Sequence, residues 1–218
     1  MKKVIFYVDG FNFYYGLKEM IEHSPNWRKF YWIDFVKLFK SFLKEDEELV
    51  VVNYFTSRPK NAHKQKRQEV LMQCNKALNY NTFSLIYGNY QEKTMTCKAK
   101  DGCNKKFIHL EEKQTDVNIA IQIVEDCYKS KCDKVVLVSG DSDFIPPLKL
   151  IKNIFPKIDQ MVLFPPHKYS SSIGNLGIPT IGLESYKPRF NKAILDEIVQ
   201  IENLGKATKT FIKPDYWK

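Results

Sequence analysis

The chain has 218 residues, of which 44% are hydrophobic, and it carries a formal net charge of +9. This length and composition suit one α/β domain, or a domain with a short appendage, whose core needs no disulfides. No run of about 18 apolar residues occurs, which excludes a helix that spans a membrane. The positive charge favours a polyanionic partner such as nucleic acid.

The cysteines and the N-terminus indicate a cytoplasmic protein. Five cysteines, an odd number, are scattered along the chain, which is typical of reduced thiols rather than of a disulfide framework. The N-terminal apolar run is too short for a signal peptide, and Asp9 interrupts it. We therefore expect this run to form the first buried strand.

Apolar runs alternate with segments of helical periodicity along the chain. Strands are predicted at Val4–Val8, Leu49–Phe55, Phe83–Tyr87, Lys134–Val138, Met161–Phe164 and Thr180–Leu183. Helices are predicted at Gly10–Met20, Ile33–Leu43, Asn61–Leu78, Asp116–Tyr128, Asp143–Lys152 and Asn191–Asn203, with a short turn or helix at Ser170–Leu176. Alternating strands and helices predict an α/β fold, with a mainly parallel central sheet and helices on both faces.

Two segments depart from this alternation. Between Gln91 and Gln114 the pattern changes to Lys, Thr, Cys and Gly, which predicts an insertion on a hairpin or loop. Its lysines suit either a flap that contacts a nucleic-acid backbone or a solvated loop: Lys93, Lys98, Lys100, Lys105 and Lys106. The basic tail Gly205–Lys218 carries Phe211, Tyr216 and Trp217 and either docks on the domain or extends from it.

Acidic residues fall where predicted strands end. Asp9 follows the first strand, and Asp141 and Asp143 follow the strand Lys134–Val138. Asp116 opens a helix, for which Thr115 is the expected N-cap. Taken singly, these acids suit turns, caps and helix dipoles. Because sites in parallel α/β sheets form at the carboxyl ends of the strands, we expect the four carboxylates to converge.

Four converging carboxylates would repel one another strongly without a compensating positive charge. A hard divalent cation such as Mg²⁺, bound through carboxylate oxygens and waters, relieves that repulsion. Such an ion can also activate a water and stabilise the oxygens of a phosphoryl group under in-line attack. The acids therefore predict a metal site suited to phosphodiester chemistry.

Three segments together resemble a known family: "YVDGFNFYYGL", "KQTDVNIAIQI" and "VVLVSGDSDFIPPL". They resemble the NYN domain, a branch of the PIN-like nuclease superfamily, in its bacterial LabA-like form. The match covers about residues 1–185, and leaves 186–218 as a C-terminal helix and basic tail. The resemblance implies a Rossmann-like PIN fold, a Mg²⁺ or Mn²⁺ site and metal-dependent, endonucleolytic ribonuclease activity.

The resemblance also assigns roles to individual residues. It implies catalytic and metal-binding roles for Asp9, Asp116, Asp141 and Asp143, the last as a further ligand or its partner. It implies supporting roles for Asn12, Ser139 and Thr115, of which the last two would orient water or phosphate.

The segment "FTSRPKNAHKQKRQ" opens at the same predicted sheet edge as Asp9. Its cations are candidates for phosphate contacts, which give affinity without sequence information: Arg58, Lys60, Lys64 and Arg67. Three aromatics either stack unpaired bases or belong to the core: Tyr14, Tyr15 and Tyr90. These features favour single-stranded RNA as the partner, and leave the oligomeric state open, a homodimer included.

Alternatives to a ribonuclease differ in the residues that they require. A non-catalytic RNA-binding or regulatory protein remains the main alternative, although such a protein would not need clustered acids beside a polyanion. A haloacid-dehalogenase-type phosphatase needs a second Asp where Phe11 stands, and no P-loop motif occurs. Structural Zn²⁺ is disfavoured, because Cys97 and Cys103 form one loose pair where a zinc ribbon needs two close pairs.

Overall fold

The computed structural model describes residues 1–97, 103–203 and 206–217. Within them, the strands are β1 Lys2–Asp9, β2 Glu47–Thr56, β3 Phe83–Tyr87, β4 Asn89–Thr96, β5 Lys106–Lys113, β6 Lys134–Val138, β7 Asp159–Phe164, β8 Thr180–Gly182, β9 Ile198–Asn203 and β10 Lys206–Ile212. The helices are α1 Gly10–His23, α2 Phe35–Lys40, α3 Ala62–Leu78, α4 Thr115–Tyr128, α5 Ile145–Ile154, α6 Ser171–Gly174 and α7 Lys187–Ala193.

Six strands form a central sheet in the order β3-β2-β1-β6-β7-β8. Every neighbouring pair in this sheet is parallel. The predicted α/β fold, with a parallel central sheet, is therefore confirmed. Strand order reverses between β1 and β6, and the carboxyl ends of strands at such a reversal enclose the crevice in which α/β proteins bind ligands.

The central strand β1 is buried on both faces, so helices must cover the sheet on both sides. Val4, Phe6 and Val8 pack into a cluster with residues of α1, α2 and α3. Ile5 and Tyr7 point the other way, into a cluster with residues of α4 and α5. A strand with two buried faces needs a continuous apolar run, which is the pattern that Val4–Val8 shows.

The predicted helix Asn191–Asn203 is wrong beyond its first residues. Helix α7 ends at Ala193, and β9 and β10 then form an antiparallel hairpin. Contacts with a distant segment hold the chain extended: the Trp32 indole N–H donates to the Asp196 carbonyl at 2.7 Å. The Leu195 N–H donates to the Trp32 carbonyl at 3.1 Å. These partners lie too far away in sequence for a local helical pattern to reveal them.

The C-terminal tail docks on the domain, which decides between the two alternatives that its sequence left open. Trp217 is buried at 5% exposure, and its ring stacks on that of Tyr31 with centroids 5.6 Å apart. Phe211 packs against the same core cluster. Aromatic burial of this kind holds the tail in place by the hydrophobic effect.

The predicted insertion is a hairpin, formed by β4 and β5 in antiparallel register. Lys93, Lys105 and Lys106 are exposed on it, and Lys98 and Lys100 lie outside the described residues. No disulfide joins the cysteines of the part of the chain that the structure describes. In that part, no helix has the length and apolar character needed to cross a bilayer.

A buried ion pair supports the amino edge of the sheet, opposite the acids. The Lys134 amine donates to Glu47 at 2.8 Å, and the two side chains are 6% and 3% exposed. We expect Glu47→Ala to lower the free energy of unfolding by about 3–5 kcal/mol, because it leaves the Lys134 charge buried without its partner. Urea denaturation measures this loss.

The exposed pair of Lys2 and Asp159, joined at 2.7 Å, provides the control. Asp159→Ala is expected to cost much less than Glu47→Ala, since water screens an exposed pair. Equal losses in the two variants would show that burial does not set the strength of the Lys134–Glu47 pair.

Candidate active site at the carboxyl edge of the sheet

Asp9 ends β1 and begins α1 as its N-cap. One carboxylate oxygen accepts the backbone N–H groups of Phe11 at 3.1 Å and Asn12 at 3.0 Å. The other accepts the hydroxyl of Ser139 at 2.9 Å. The side chain is 4% exposed. Asp9 therefore does cap helix α1, and this capping fixes its carboxylate at the edge of the sheet.

Two polar side chains join the ends of β1 and β6. The fully buried hydroxyl of Ser139 donates to Asp9 and accepts the Asp141 N–H at 3.1 Å. The side-chain amide oxygen of Asn12 accepts the Gly140 backbone N–H at 2.9 Å. Ser139 thus positions the Asp9 carboxylate, and the Asn12 side chain fixes the backbone at Gly140 beside it.

A loop after β7 closes tightly on this edge, and two glycines make room for it. A Cβ on Gly140 would lie 1.8 Å from the Lys168 carbonyl oxygen, and one on Gly16 would lie 2.3 Å from that of Pro166. Backbone atoms cannot yield at such distances, so both positions require glycine. The close approach brings Lys168 to the mouth of the crevice.

Three of the four predicted acids line one pocket of about 330 Å³: Asp9, Asp116 and Asp141. Asp143 does not line it. Its side chain is exposed, and its backbone N–H donates to the Asp141 carboxylate at 3.0 Å, so Asp141 caps the 3₁₀ turn Ser142–Phe144. The structure therefore brings together acids from three separate segments of the sequence.

Helix α4 begins one residue earlier than expected. Gln114 is its N-cap, and its carbonyl accepts the Asn118 N–H at 2.8 Å. The expectation that Thr115 caps this helix is wrong, because Thr115 already has helical geometry, and its side chain is 1% exposed. Asp116 in the first turn is half-buried and faces the pocket.

Sequence reasoning missed two residues of this pocket, Glu19 and Lys168, whose side chains form an ion pair at 2.6 Å. Glu19 lies on α1 four residues after Tyr15 and eight after Phe11, so its helical spacing could have placed it on this face. No sequence pattern predicts Lys168 at this pocket, because it lies in the loop after β7, which is distant from α1 in the sequence.

The pocket suits a hard divalent cation in the kind of donors it offers. Its acids supply oxygen, the donor that Mg²⁺ and Mn²⁺ prefer. Among the described residues, no group of three or more His, Cys, Asp or Glu side chains is arranged to hold a metal ion. Mg²⁺ commonly takes one or two carboxylates and keeps several waters, so the donors fit an ion held partly through water.

Burial raises the pKa of Asp9 to about 6 from an ordinary 3.8, and the negative charge of Asp141 adds to the shift. The hydrogen bonds from Asn12, Ser139 and Phe11 act in the opposite direction and favour the charged form. Burial prevails because it removes the water that would solvate the charge. The carboxylate is therefore poised to gain from a nearby cation.

A second, largely apolar cavity of about 460 Å³ adjoins the acids, and Phe11 and Tyr15 line both spaces. Three of the predicted phosphate-binding cations line this cavity: Lys60, Lys64 and Arg67. Arg58 is exposed elsewhere, over the Tyr87 ring. Tyr14 also lines the cavity, while the side chain of Tyr90 lies outside the described residues.

The family model described as "NYN domain" matches residues 3–154. The chain belongs to the NYN domain family. NYN domains are part of the PIN-like nuclease superfamily, so the expected family and PIN-like fold are confirmed. The match contains all four predicted acids and the basic segment, and it ends before the C-terminal hairpin.

Two further proteins resemble this NYN domain. The 6-hydroxy-3-succinoylpyridine 3-monooxygenase HspA of Pseudomonas putida is 28% identical over 67% of this chain and 54% of that protein. The chain thus spans about half the length of this curated relative. A crystal structure of a protein of unknown function from Vibrio parahaemolyticus superposes with a TM-score of 0.52 at 17% identity. It covers 83% of this chain and 91% of that one, and shows a shared fold.

The raised pKa of Asp9 gives a prediction about stability without metal. The folded pKa of about 6 exceeds the ordinary 3.8, so ionised Asp9 lowers stability above about pH 6, and this cost disappears below about pH 4. We expect Asp9→Asn to raise the free energy of unfolding by about 1–3 kcal/mol at pH 7.5. At pH 4 the gain should vanish. Thermal denaturation in a chelator across this range measures the effect.

Asp34 offers a matched control, since it is an N-cap aspartate on α2 that is only half-buried. Asp34→Asn should change stability by less than about 0.5 kcal/mol, because Asn and Asp are similar N-caps. Destabilisation by Asp9→Asn at pH 7.5 would mean that hydrogen bonding to the charged form outweighs burial at Asp9.

Proposed function

We propose that this NYN domain is a metal-dependent ribonuclease that cuts RNA within the strand. The observation that carries the proposal is the convergence of Asp9, Asp116 and Asp141 on one pocket at the strand-order reversal. Membership of a nuclease superfamily and the basic rim formed by Lys60, Lys64 and Arg67 support it. A polyanion has a reason to approach clustered acids only if a cation offsets their charge.

The acids Asp9, Asp116 and Asp141 would hold Mg²⁺ or Mn²⁺, partly through water. A bound ion of this kind supplies a more acidic water as nucleophile and offsets charge on the phosphate oxygens. Ser139 holds the Asp9 carboxylate through its hydroxyl, and the Asn12 side chain holds the Gly140 backbone beside it. The Asp143 backbone N–H orients Asp141, which leaves the exposed Asp143 carboxylate in an outer position.

Lys168 lines the pocket, where its amine donates to Glu19, and we propose that it contacts an RNA phosphate. Attack of water on the phosphodiester would leave a 5′-phosphate and a 3′-hydroxyl.

The five thiols and the absence of any disulfide among the described residues support the cytoplasm as the compartment.

The activity prediction concerns Asp141. Asp141→Asn keeps the size of the side chain and its capacity to accept the Asp143 N–H, but it removes a charge that a cation needs. Wild-type protein with Mn²⁺ should cut labelled single-stranded RNA, and EDTA should stop it. We expect Asp141→Asn to lower the cleavage rate by about 100-fold or more. RNA binding should persist, because a negative charge beside the phosphate is gone.

Asp159→Asn, an exposed acid at the opposite edge of the sheet, is the control and should cut at the wild-type rate. Calorimetric titration with Mn²⁺ should show binding to wild type and weaker binding to Asp141→Asn. Tight RNA binding without cleavage under any divalent metal would favour the non-catalytic RNA-binding alternative. Cleavage that survives in Asp141→Asn would indicate a contaminating nuclease.

A second candidate function follows from the aromatic cavity beside the acids. The relative from Pseudomonas putida is named for activity on a substituted pyridine, and a cavity of about 460 Å³ has the size of a small-molecule site. This candidate predicts that 6-hydroxy-3-succinoylpyridine binds the purified protein in calorimetry. The basic rim of the cavity favours RNA as the ligand, because a small aromatic acid needs no row of cations.

The basic segment gives a prediction about binding. If Lys60, Lys64 and Arg67 of the basic rim contact phosphates, replacing all three with Ala should weaken binding to unrelated RNA sequences alike. The log–log slope of affinity against salt should fall by roughly one unit per lost contact. Fluorescence anisotropy at several salt concentrations measures the slope. The matched control replaces three exposed lysines elsewhere, Lys37, Lys40 and Lys149, and should leave the slope nearly unchanged.

A further inference from the structure

The aromatic cavity beside the acids is lined by nine aromatic side chains, among them Phe11, Tyr14, Tyr15, Tyr31, Tyr54 and Trp217. Its volume is about 460 Å³, and its lining is mainly apolar. Three cations, Lys60, Lys64 and Arg67, also line it. A flat aromatic ligand attached to an anion satisfies both parts of this lining.

The wall between this cavity and the acid pocket consists of two stacked side chains. The rings of Phe11 and Tyr15 lie 6.4 Å apart at an angle of 17°. Tyr15 is 49% exposed, so its ring is accessible to a ligand from solvent. A chain whose phosphate occupies the acid pocket would therefore pass Tyr15 before it enters the cavity.

The C-terminal segment contributes to the lining of the cavity. Trp217 lines it and stacks on Tyr31, and Tyr216 lies under the Arg67 guanidinium at 4.3 Å. These residues follow the NYN match, which ends at residue 154. The cavity is thus built jointly by the shared domain and by a segment beyond it.

We propose that this cavity is a subsite for one unpaired nucleobase of an RNA strand whose backbone lies in the acid pocket. The proposal rests on the proposed function for the identity of the strand. An unpaired base presents two apolar faces to the rings. The backbone phosphates next to that base meet the three cations. A paired base cannot enter, because its faces are stacked within the duplex. The subsite therefore selects single-stranded RNA and fixes a base near the phosphate to be cut.

The test separates base contacts from backbone contacts. We compare a seven-nucleotide uridine RNA with a strand of the same length and charge that lacks every base. Binding is measured by fluorescence anisotropy in Ca²⁺, which offsets the charge of the acids through oxygen ligands, whereas its longer bonds and flexible geometry disfavour cleavage. Stacking of bases on aromatic side chains predicts that the intact strand binds about 5- to 100-fold more tightly.

Variants of Tyr15 assign that difference to the cavity. Tyr15→Leu removes the ring and should reduce the preference for the intact strand at least threefold, whereas Tyr15→Phe should restore it. Tyr128→Leu, at a tyrosine 78% exposed on α4, is the matched control and should keep the full preference. Arg67→Ala should weaken binding of both strands alike, because it removes a charge that contacts the backbone.

Equal binding of the two strands by wild-type protein would overturn the proposal, and so would an unchanged preference in Tyr15→Leu. Tighter binding of nicotinate than of uridine 5′-monophosphate, lost in Tyr15→Leu, would assign the cavity to small aromatic acids instead. Cleavage of RNA without a base preference would leave the ribonuclease function standing and remove the subsite. A base preference without cleavage would support the subsite and contradict the ribonuclease function.

Discussion

One chain of hydrogen bonds holds together the ends of β1 and β6. Asp9 receives two N–H groups of α1 and the hydroxyl of Ser139, and Ser139 in turn receives the N–H of Asp141. Asn12 adds a bond to Gly140. Because these strands flank the reversal of strand order, their ends define the floor of the crevice. Every other feature of the site is placed relative to this floor.

This arrangement keeps a charged group where burial opposes its charge. The pKa of Asp9 rises to about 6 although three groups donate hydrogen bonds to it. Perturbed carboxylates in a cleft are typical of functional sites, since a purely structural cap would be equally well served by Asn. Asp116 and Asp141 add negative charge to the same pocket, and the nearby Lys168 amine is directed to Glu19. The side chains of the pocket therefore carry more formal negative charge than positive charge.

The second cavity makes the two sides of the candidate site chemically different. Acids lie on one side of the Phe11–Tyr15 wall, while aromatic rings and cations lie on the other. The tail contributes Trp217 to the lining, and the hydrophobic effect that buries this indole also shapes the cavity. The contact that stabilises the tail therefore also links a segment beyond the matched domain to the candidate site.

Local patterns determined the six strands of the central sheet, most helices and the positions of the acids, because apolar runs, helical periodicity and strand-end motifs are set by neighbouring residues. The apolar run Val4–Val8 and the following Asp9 are enough to place one carboxylate at the sheet edge. Only the tertiary structure decided that residues 198–212 form a hairpin and that Lys168 meets Glu19. It alone brought Trp217 to Tyr31. These outcomes depend on contacts between distant segments, whose distances no local periodicity encodes.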